Sequence, residues 1–336
     1  MAKQPLYLTR PGELKRKNNT LRFETEDGHR YIPIESVENI FVLNGLTLNT
    51  GLLEFLSYKH VPVHFYNYHG RYTGTFYPPE KYVSGTLLVK QVEHYQCQER
   101  RLKISKELLR GALSNILKNS RMVARKYTDI EGVRNISEEL SASRKQIFQA
   151  ATTADLMGIE GSLRKKYYHQ LDLVHRERRP DFVMDTRVKR PPNNKMNTLI
   201  SFVNSLVYNS TLNEIYKTQL NPDISFLHEP RERRHSLSLD LSEVFKPFIA
   251  DRLIFRLINL QMLKQTDFDE AGGICYLNEK GRRKVIEEYH QKLLTKVMHR
   301  QLKRKVTYQR LMLLECYKLI KHIFDEQRYV SFKMWW

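Results

Sequence analysis

Carboxylates and imidazoles in apolar surroundings are the side chains in this chain that are best suited to chemistry. Glu160 stands between Gly158 and Gly161 in a stretch that is otherwise helical and apolar. Glycine inside a helix costs about 1 kcal/mol relative to alanine. The two glycines therefore indicate either a close backbone approach or space left for a ligand. The simpler alternative is a helix start or kink with Glu160 on its solvent side.

A second set of such residues lies between Asn221 and Pro247. If a helix begins near Ser238, Asp240 and Glu243 stand three residues apart and share a face. A buried histidine such as His228 is usually a satisfied core residue, and an acid in a first helical turn usually compensates the helix dipole. These alternatives account for His228 and Asp240 better than for Glu243, which sits deeper among apolar neighbours.

The types of these side chains indicate which ion they would bind. Carboxylate and imidazole without cysteine suit a hard or borderline divalent ion such as Mg²⁺ or Mn²⁺. Beside a large positive charge, such an ion indicates phosphodiester chemistry. Other catalytic templates fail, since residue 232 is Glu rather than the second histidine of a zinc-protease helix, and the chain has no phosphate loop, GxGxxG or GxSxG motif.

The charge of the chain predicts a polyanionic partner. Its 336 residues carry 56 Lys and Arg against 37 Asp and Glu, a net charge of +19. Residues 1–85 hold 10 of these cations and 8 of the acids, so nearly the whole surplus, +17, lies in residues 86–336. A surplus of this size opposes compaction by self-repulsion, so we expect nucleic acid or phosphate to bind there.

Five basic clusters carry much of this surplus. Any one of them alone is most simply a solvated helix face, but five with partial acidic compensation favour contacts to a nucleic-acid backbone rather than to bases. The clusters are His175–Arg179, Arg187–Arg190, Arg231–Arg234, Arg282–Lys284 and Lys303–Lys305.

The hydrophobic pattern predicts an α+β protein, with a small β-rich domain at residues 1–85 followed by a larger all-α domain at residues 86–336. In the first part, short β-branched and aromatic runs alternate with turns, and Asn49 or Thr50 caps one helix. From about Leu87 onward the period becomes helical. Late helices are predicted from Leu241 to Leu263, from Gly281 to Lys305 and from Thr307 to Glu326.

Cysteine usage and hydropathy predict a cytoplasmic protein. The three cysteines, Cys97, Cys275 and Cys316, are far apart and form no CxxC motif, which argues against disulfides and against a cysteine-built zinc site. The N-terminus does not read as a signal peptide. No apolar run approaches the length of a membrane span.

Several of these segments together resemble one family. They are the isolated Glu160, then "NP…S.LHEPR" with His228, then "SL.LDL.E.FKP" with Asp240 and Glu243 followed by "DR", and a late "YQR…Y" stretch. The pattern resembles the CRISPR-associated protein 1 family, the integrases of prokaryotic spacer acquisition in antiviral defence. The resemblance runs over nearly the whole chain, and its most specific part is His228 to Pro247.

This resemblance implies both a site and a reaction. The family's metal ligands, which are also its catalytic residues, fall on Glu160, His228 and Glu243, and Asp240 matches a second acid next to the site. A divalent ion, Mg²⁺ or Mn²⁺, would support attack by the 3′-hydroxyls of a short prespacer duplex on phosphodiesters of the CRISPR repeat, with endonuclease activity as the hydrolytic side. His228 could instead serve as a proton carrier. Candidate DNA contacts are Arg231, Arg233, Arg234, Arg187, Lys189 and Arg190.

The resemblance also implies partners, and it leaves alternatives open. It implies a homodimer formed through the β-rich domain and a complex with CRISPR-associated protein 2. A free-standing metal-dependent nuclease on branched DNA would use the same residues with water as nucleophile, and a non-catalytic DNA-binding protein would need no metal. The ending Phe332–Trp336 departs from the family pattern, so the last ten residues receive no assignment, and Ala271-Gly-Gly273 also stays uninterpreted.

Overall fold

The structure, a computed structural model, describes residues 3–67, 69–79 and 83–336. It divides into two compact units, Met1–Lys81 with Met262–His290, and Tyr82–Gln261 with Gln291–Trp336. The segment Met262–His290 thus groups with the first unit, whereas the sequence places it in the second domain. The roles assigned to residues 1–85 and 86–336 stay predictions.

Two four-stranded sheets build the N-terminal part of the first unit. One has the order β1-β5-β7-β8 and is parallel except for the β7–β8 pair, and the other has the order β4-β3-β2-β6 and is antiparallel except for the β2–β6 pair. The predicted β-rich start is confirmed. The strands are β1 (Gln4–Leu8), β2 (Gly12–Lys17), β3 (Thr20–Thr25), β4 (Gly28–Pro33), β5 (Val37–Val42), β6 (Leu46–Thr47), β7 (Val63–Tyr66) and β8 (Tyr72–Phe76).

Helix α1 (Thr50–Tyr58) covers the core between these sheets. The side chain of Asn49 accepts a hydrogen bond from the Leu52 amide at 2.9 Å, so the predicted cap is confirmed. Leu52 and Leu56 belong to the hydrophobic core of this part, and all residues of that core are buried. Burial of each such leucine contributes about 1.5 to 3 kcal/mol to folding.

The pair Gly272–Gly273, left uninterpreted in the sequence, forms the turn of a hairpin. Strands β9 (Phe268–Ala271) and β10 (Ile274–Leu277) pair antiparallel on either side of it. Both glycines have positive φ, +58° and +74°, which a two-residue turn of this type requires and which side chains disfavour. Helix α9 (Glu279–Leu294) follows the hairpin.

The second unit is mostly helical, which confirms the predicted order of a β-rich part before a helical part. Helix α3 packs against α4, α5 and α7, and α6 packs against α7 and α10. The helices are α2 (Gly85–Gln96), α3 (Gln98–Lys126), α4 (Val133–Gln149), α5 (Thr153–Arg178), α6 (Lys195–Tyr216), α7 (Ser236–Lys246), α8 (Arg252–Asn259) and α10 (Tyr308–Ile323).

One predicted helix in this part is wrong at its C-terminal end. The helix expected from Gly281 to Lys305 stops at Leu294, and a short hairpin of β11 (Lys296–Met298) and β12 (Lys305–Thr307) follows. Val297 pairs with Val306 across it. β-Branched side chains pack well on a strand and lose rotamer freedom in a helix, so this stretch favours the hairpin.

The helix predicted from Leu241 to Leu263 is interrupted by a π-helical turn. Helix α7 runs into the π turn Pro247–Asp251, and α8 continues from Arg252. Pro247 has no backbone N–H, so it cannot make the normal helical hydrogen bond. Two asparagines of α3 donate to nearby carbonyls, Asn115 to Val244 at 2.9 Å and Asn119 to Pro247.

The C-terminal tail, which the sequence left without assignment, packs against α3 and α10. The Phe332 amide donates to Glu315 at 2.9 Å, and the Met334 amide donates to Asn115 at 2.8 Å. A Cβ on Gly111 would lie 2.4 Å from the Ser331 hydroxyl, so glycine is required for the tail to approach α3 this closely.

Two smaller sequence expectations concern cysteines and membranes. The three cysteines are free thiols, and two of them, Cys275 and Cys316, are buried. Within the described parts of the chain, no helix combines the length and apolarity needed to span a bilayer.

The buried His175 of α5 makes the stability of the second unit sensitive to acid. Burial, followed by the positive charge of Arg179, lowers the pKa of His175 to about 4, and neither ring nitrogen has a hydrogen-bond partner among the described residues. Below pH 6.5 His175 binds a proton in the unfolded chain but not in the folded chain. The free energy of unfolding therefore decreases as pH falls from 6.5 towards 4. At pH 5 the loss amounts to about 2 kcal/mol.

Substitution of this histidine tests the acid sensitivity. We expect His175→Asn to reduce the difference between the Tm values at pH 7.5 and pH 5, measured by circular dichroism. His60→Asn is the matched control, because His60 is exposed and its φ of +55° suits asparagine. Equal pH dependence in wild type and His175→Asn would contradict the assignment.

Candidate active site

Glu160 lies on α5 beside open space. The helix begins at a capping box in which the Thr152 side chain accepts from the Asp155 amide and the Asp155 side chain accepts from the Thr152 amide. A Cβ placed on Gly158 or Gly161 would meet no described atom within 4 Å. The two glycines therefore leave room next to Glu160 rather than allowing a close backbone approach.

His228 is held by Asp240, which is buried on α7. One oxygen of the Asp240 carboxylate lies 2.8 Å from Nδ1 of His228 and accepts from the His228 amide at 2.9 Å, and the other accepts from the amides of Phe226 and Leu227. An ionised carboxylate only accepts, so Nδ1 carries the proton and Nε2 keeps the lone pair in the neutral ring. Asp240 thus positions the loop and the imidazole. It does not cap its own helix, which begins at Ser236, two residues before the predicted start.

Glu243, one turn after Asp240 on α7, is paired with two cations. Nη2 of Arg164 lies 2.8 Å from its Oε2, and Lys246 contacts its Oε1. The side chain of Glu243 is only 8% exposed. A carboxylate this buried requires such compensation, because an isolated charge in the interior is strongly unfavourable.

Arg164 of α5 joins three carboxylates. Its guanidinium contacts Glu243 through Nη2, as described above. In addition, its Nε lies 3.6 Å from Glu160, and its Nη1 lies 3.4 Å from Asp251 on the π turn. The side chain of Arg164 is itself only 12% exposed. Glu160, Glu243 and Asp251 therefore depend on one shared cation.

The pKa values reflect this arrangement. Burial raises the pKa of Glu160, and the negative charge of Glu243 raises it further. Burial also acts to raise the pKa of Glu243, but Lys246 and Arg164 outweigh it and hold that pKa well below its usual range. For Asp251, burial is the largest cause of a pKa of about 6.

The pKa of His228 is raised, whereas burial alone lowers the pKa of a histidine. Burial acts to lower its pKa, but the hydrogen bond and charge of Asp240, together with the charge of Glu243, raise the pKa overall. The electrostatic influence of His228 also reaches Glu160. The structure thus brings the four site residues that the sequence selected into one neighbourhood.

Glu160, His228 and Glu243 have the donor types of a divalent-metal site, although their side chains do not converge on one point in this structure. Divalent ions favour carboxylate and imidazole donors, and Glu160, Glu243 and His228 supply both. A metal-binding imidazole usually has its other nitrogen hydrogen-bonded to a carboxylate, as Asp240 provides here. With the side chains as placed, the described residues contain no group of three His, Cys, Asp or Glu side chains that could hold an ion. Between Glu160 and Glu243, the positive charge is supplied by the Arg164 guanidinium.

The candidate DNA contacts divide into exposed and structural residues. Lys189, Arg190, Arg231 and Arg233 are exposed. Arg187 donates to Asn197 Oδ1 and Ser201 Oγ, both at 2.9 Å, and Arg234 donates to the Glu229 carbonyl at 2.7 Å. Arg187 therefore links its loop to side chains of α6, and Arg234 binds the backbone of its own loop.

Sequence reasoning missed three residues of this neighbourhood. Arg164 and Lys246 stand four residues after Glu160 and three after Glu243, the spacings at which opposite charges meet on a helix. Asp251 belongs to the "DR" pair that contributed to the resemblance, but the sequence gave it no role. The helical spacing could have revealed the two cations, whereas the π turn that brings Asp251 to Arg164 has no clear signal in the sequence.

Comparison with known proteins identifies the family. A family model described as "CRISPR associated protein Cas1" matches residues 6–291. This chain belongs to the Cas1 family. The "CRISPR-associated endonuclease Cas1 3" of Thermodesulfovibrio yellowstonii is 47% identical over 331 residues, which cover 98% of this chain and 99% of that protein.

Solved structures agree with the family assignment. A CAS1 protein from Thermotoga maritima has a TM-score of 0.85 at 40% identity, with 98% of this chain and 100% of that chain covered. A casposase bound to its integration product has a TM-score of 0.82 at 19% identity, covering 98% of this chain and 93% of that chain. The casposase shares the fold of the chain.

Removal of Arg164 tests whether one guanidinium holds the three carboxylates together. We expect Arg164→Met to destabilise the protein by about 3 to 5 kcal/mol, because it removes the cation from Asp251 and Glu160 and leaves Glu243 with Lys246 alone. Mn²⁺ should raise the Tm of this variant more than that of wild type, since the ion no longer competes with the guanidinium. Differential scanning fluorimetry with EDTA or Mn²⁺ measures both effects.

The matched control for this experiment is Arg134→Met, which removes an exposed cation paired with Glu138 on α4. It should change the Tm little, because an exposed pair contributes about 0 to 1 kcal/mol. Equal Tm values for Arg164→Met and wild type, or equal shifts with Mn²⁺, would contradict the role given to Arg164.

Proposed function

We propose that this chain is the metal-dependent integrase of CRISPR adaptation. In this proposal it joins the 3′-hydroxyl ends of a short prespacer duplex to phosphodiesters at the CRISPR repeat, and it cleaves DNA when water replaces the hydroxyl. Membership of a family whose relatives carry the name endonuclease supports chemistry on nucleic acid. The net charge of +19 supports a polyanionic substrate.

One observation supports the proposal most strongly: the Arg164 guanidinium contacts the carboxylates of both Glu160 and Glu243, and Asp240, one turn before Glu243 on α7, lies 2.8 Å from Nδ1 of His228. This is a donor set for a hard divalent ion with its supporting carboxylate already in place. Open space beside Gly158 and Gly161 gives a phosphodiester room to approach.

Each residue then has a definite task. Glu160 and Glu243 provide negative charge for Mg²⁺ or Mn²⁺, and Nε2 of His228 either binds that ion or carries a proton. An ion held there would supply the positive charge that polarises a phosphate and offsets negative charge on its oxygens. Asp240 orients the ring for either task, and Lys246 keeps Glu243 ionised.

The exposed cations Lys189, Arg190, Arg231 and Arg233 are proposed as phosphate contacts. They would position DNA without reading its bases. The proposal also includes a homodimer formed through the N-terminal unit and a complex with CRISPR-associated protein 2, as the family resemblance implies.

A strand-transfer assay with matched variants tests this function. It combines the chain and its proposed partner protein with a labelled duplex bearing 3′-hydroxyl ends and a supercoiled plasmid carrying a repeat, in Mn²⁺ or in EDTA. We expect wild type to join the DNAs only with the metal. Glu160→Gln and His228→Ala should each lose more than about 100-fold in rate, because each removes a group that acts on the charge of the transition state.

Binding and a control substitution make the result specific. Glu138→Gln removes an exposed acid of α4 paired with Arg134 and should keep full activity. All three variants should bind DNA in EDTA as wild type does. Full activity of Glu160→Gln and His228→Ala would show that the site is wrong.

The products decide between the candidate functions. Metal-dependent cutting without joining would favour the free-standing nuclease; the Thermodesulfovibrio relative carries the name endonuclease, which fits cutting in either reading. Binding without any chemistry under these conditions would favour a non-catalytic DNA-binding protein.

A further inference from the structure

The β11–β12 hairpin is the most cationic exposed element that the site does not use. Residues 289–314 contain seven Lys and Arg and no Asp or Glu. Five of these cations lie in the hairpin and its loop, and all five are exposed. In the part of the chain that the structure describes, none of their side chains makes an ion pair or a hydrogen bond. They are Lys296, Arg300, Lys303, Arg304 and Lys305.

Two other basic clusters differ, because their exposed cations are paired with acids. Cations of the clusters His175–Arg179 and Arg282–Lys284 form ion pairs with Asp or Glu side chains, and Arg282 is buried. The acids compensate part of the positive charge of these clusters, so a polyanion meets less uncompensated charge there than at the hairpin. The pairs are Arg176 with Asp185, Arg178 with Asp129, Arg283 with Glu287, and Lys284 with Asp267.

The C-terminal tail gives the hairpin a fixed position. Arg300 lies over the Trp335 ring at 5.7 Å, and His299 meets the same ring edge-on at 5.7 Å. Trp336 stacks on Tyr308, the first residue of α10. The hairpin is therefore anchored to a packed aromatic cluster, so its cations are presented by an ordered element.

Neighbouring cations affect the pKa values of two groups around the hairpin in the direction expected for uncompensated positive charge. The pKa of Lys118 on α3 is lowered by burial and then by the charges of Arg252 and Arg300. The pKa of His299 is lowered by burial and then by Lys318 and Arg304. Cations that repel one another in this way are stabilised when a polyanion binds.

We propose that the β11–β12 hairpin is a second DNA-binding surface, which contacts backbone phosphates through Lys303, Arg304 and Lys305. DNA as the partner rests on the proposed function. A dense row of unpaired cations on a two-stranded ribbon suits phosphates, and each contact releases counterions from the duplex. The surface therefore adds affinity and orientation without base specificity.

The test measures how DNA binding depends on salt. The variant Lys303→Asn, Arg304→Ser, Lys305→Thr removes three cations, with asparagine chosen because φ at position 303 is +51° and threonine because position 305 is in a strand. Binding to a fluorescein-labelled duplex is followed by anisotropy between about 50 and 200 mM NaCl. EDTA and a Glu160→Gln background separate this measurement from catalysis.

The expected result is a smaller salt dependence. Each lost phosphate contact lowers the slope of log K against log salt by about 0.9, so the triple variant should lose about 2 to 3 in slope. The control Lys103→Gln, Arg134→Gln, Arg283→Gln removes the same charge from exposed, acid-paired positions. It should change the slope by less than about 1.

Two outcomes would overturn the inference. They are an unchanged slope in the hairpin variant and an equal loss of slope in the control. A hairpin variant that loses slope while wild type joins no DNA would support the surface and contradict the proposed function. Equal Tm values for both triple variants and their parent would show that neither effect arises from unfolding.

Discussion

The site depends on the balance of charge around a cation placed among buried carboxylates. Glu160, Glu243 and Asp251 come from α5, α7 and the π turn, and the Arg164 guanidinium contacts all three. Carboxylates this close would repel one another and be expensive to bury without that cation. The proposed metal ion would bind among carboxylates that Arg164 already compensates. The stability of the second unit and the proposed metal binding therefore depend on the same carboxylates.

The surrounding fold serves mainly to hold that geometry. The π turn after α7 disrupts the normal helical hydrogen bonds, and Asn115 and Asn119 of α3 bind carbonyls there. Asn115 also accepts from the backbone of the tail at Met334. Bulges of this kind often mark functional sites. The tail, the aromatic cluster and the hairpin are thus parts of the same packed unit that carries the candidate active site.

Local patterns in the sequence predicted much of this, and contacts distant in sequence account for the rest. The α1 cap at Asn49 and the shared helix face of Asp240 and Glu243 depend on neighbours within one or two turns. The end of α9 at Leu294 was missed because apolar residues continue into the hairpin. Nor could the sequence tell buried Arg282 from exposed Arg304, since acids in distant segments decide which cations are paired.

The most direct test of the central claim is anomalous diffraction from crystals soaked with Mn²⁺. The account predicts one strong peak in contact with the carboxylates of Glu160 and Glu243 and with Nε2 of His228, with the Arg164 guanidinium displaced from between the two acids. A guanidinium that stays between them, with manganese bound elsewhere or not at all, would contradict it.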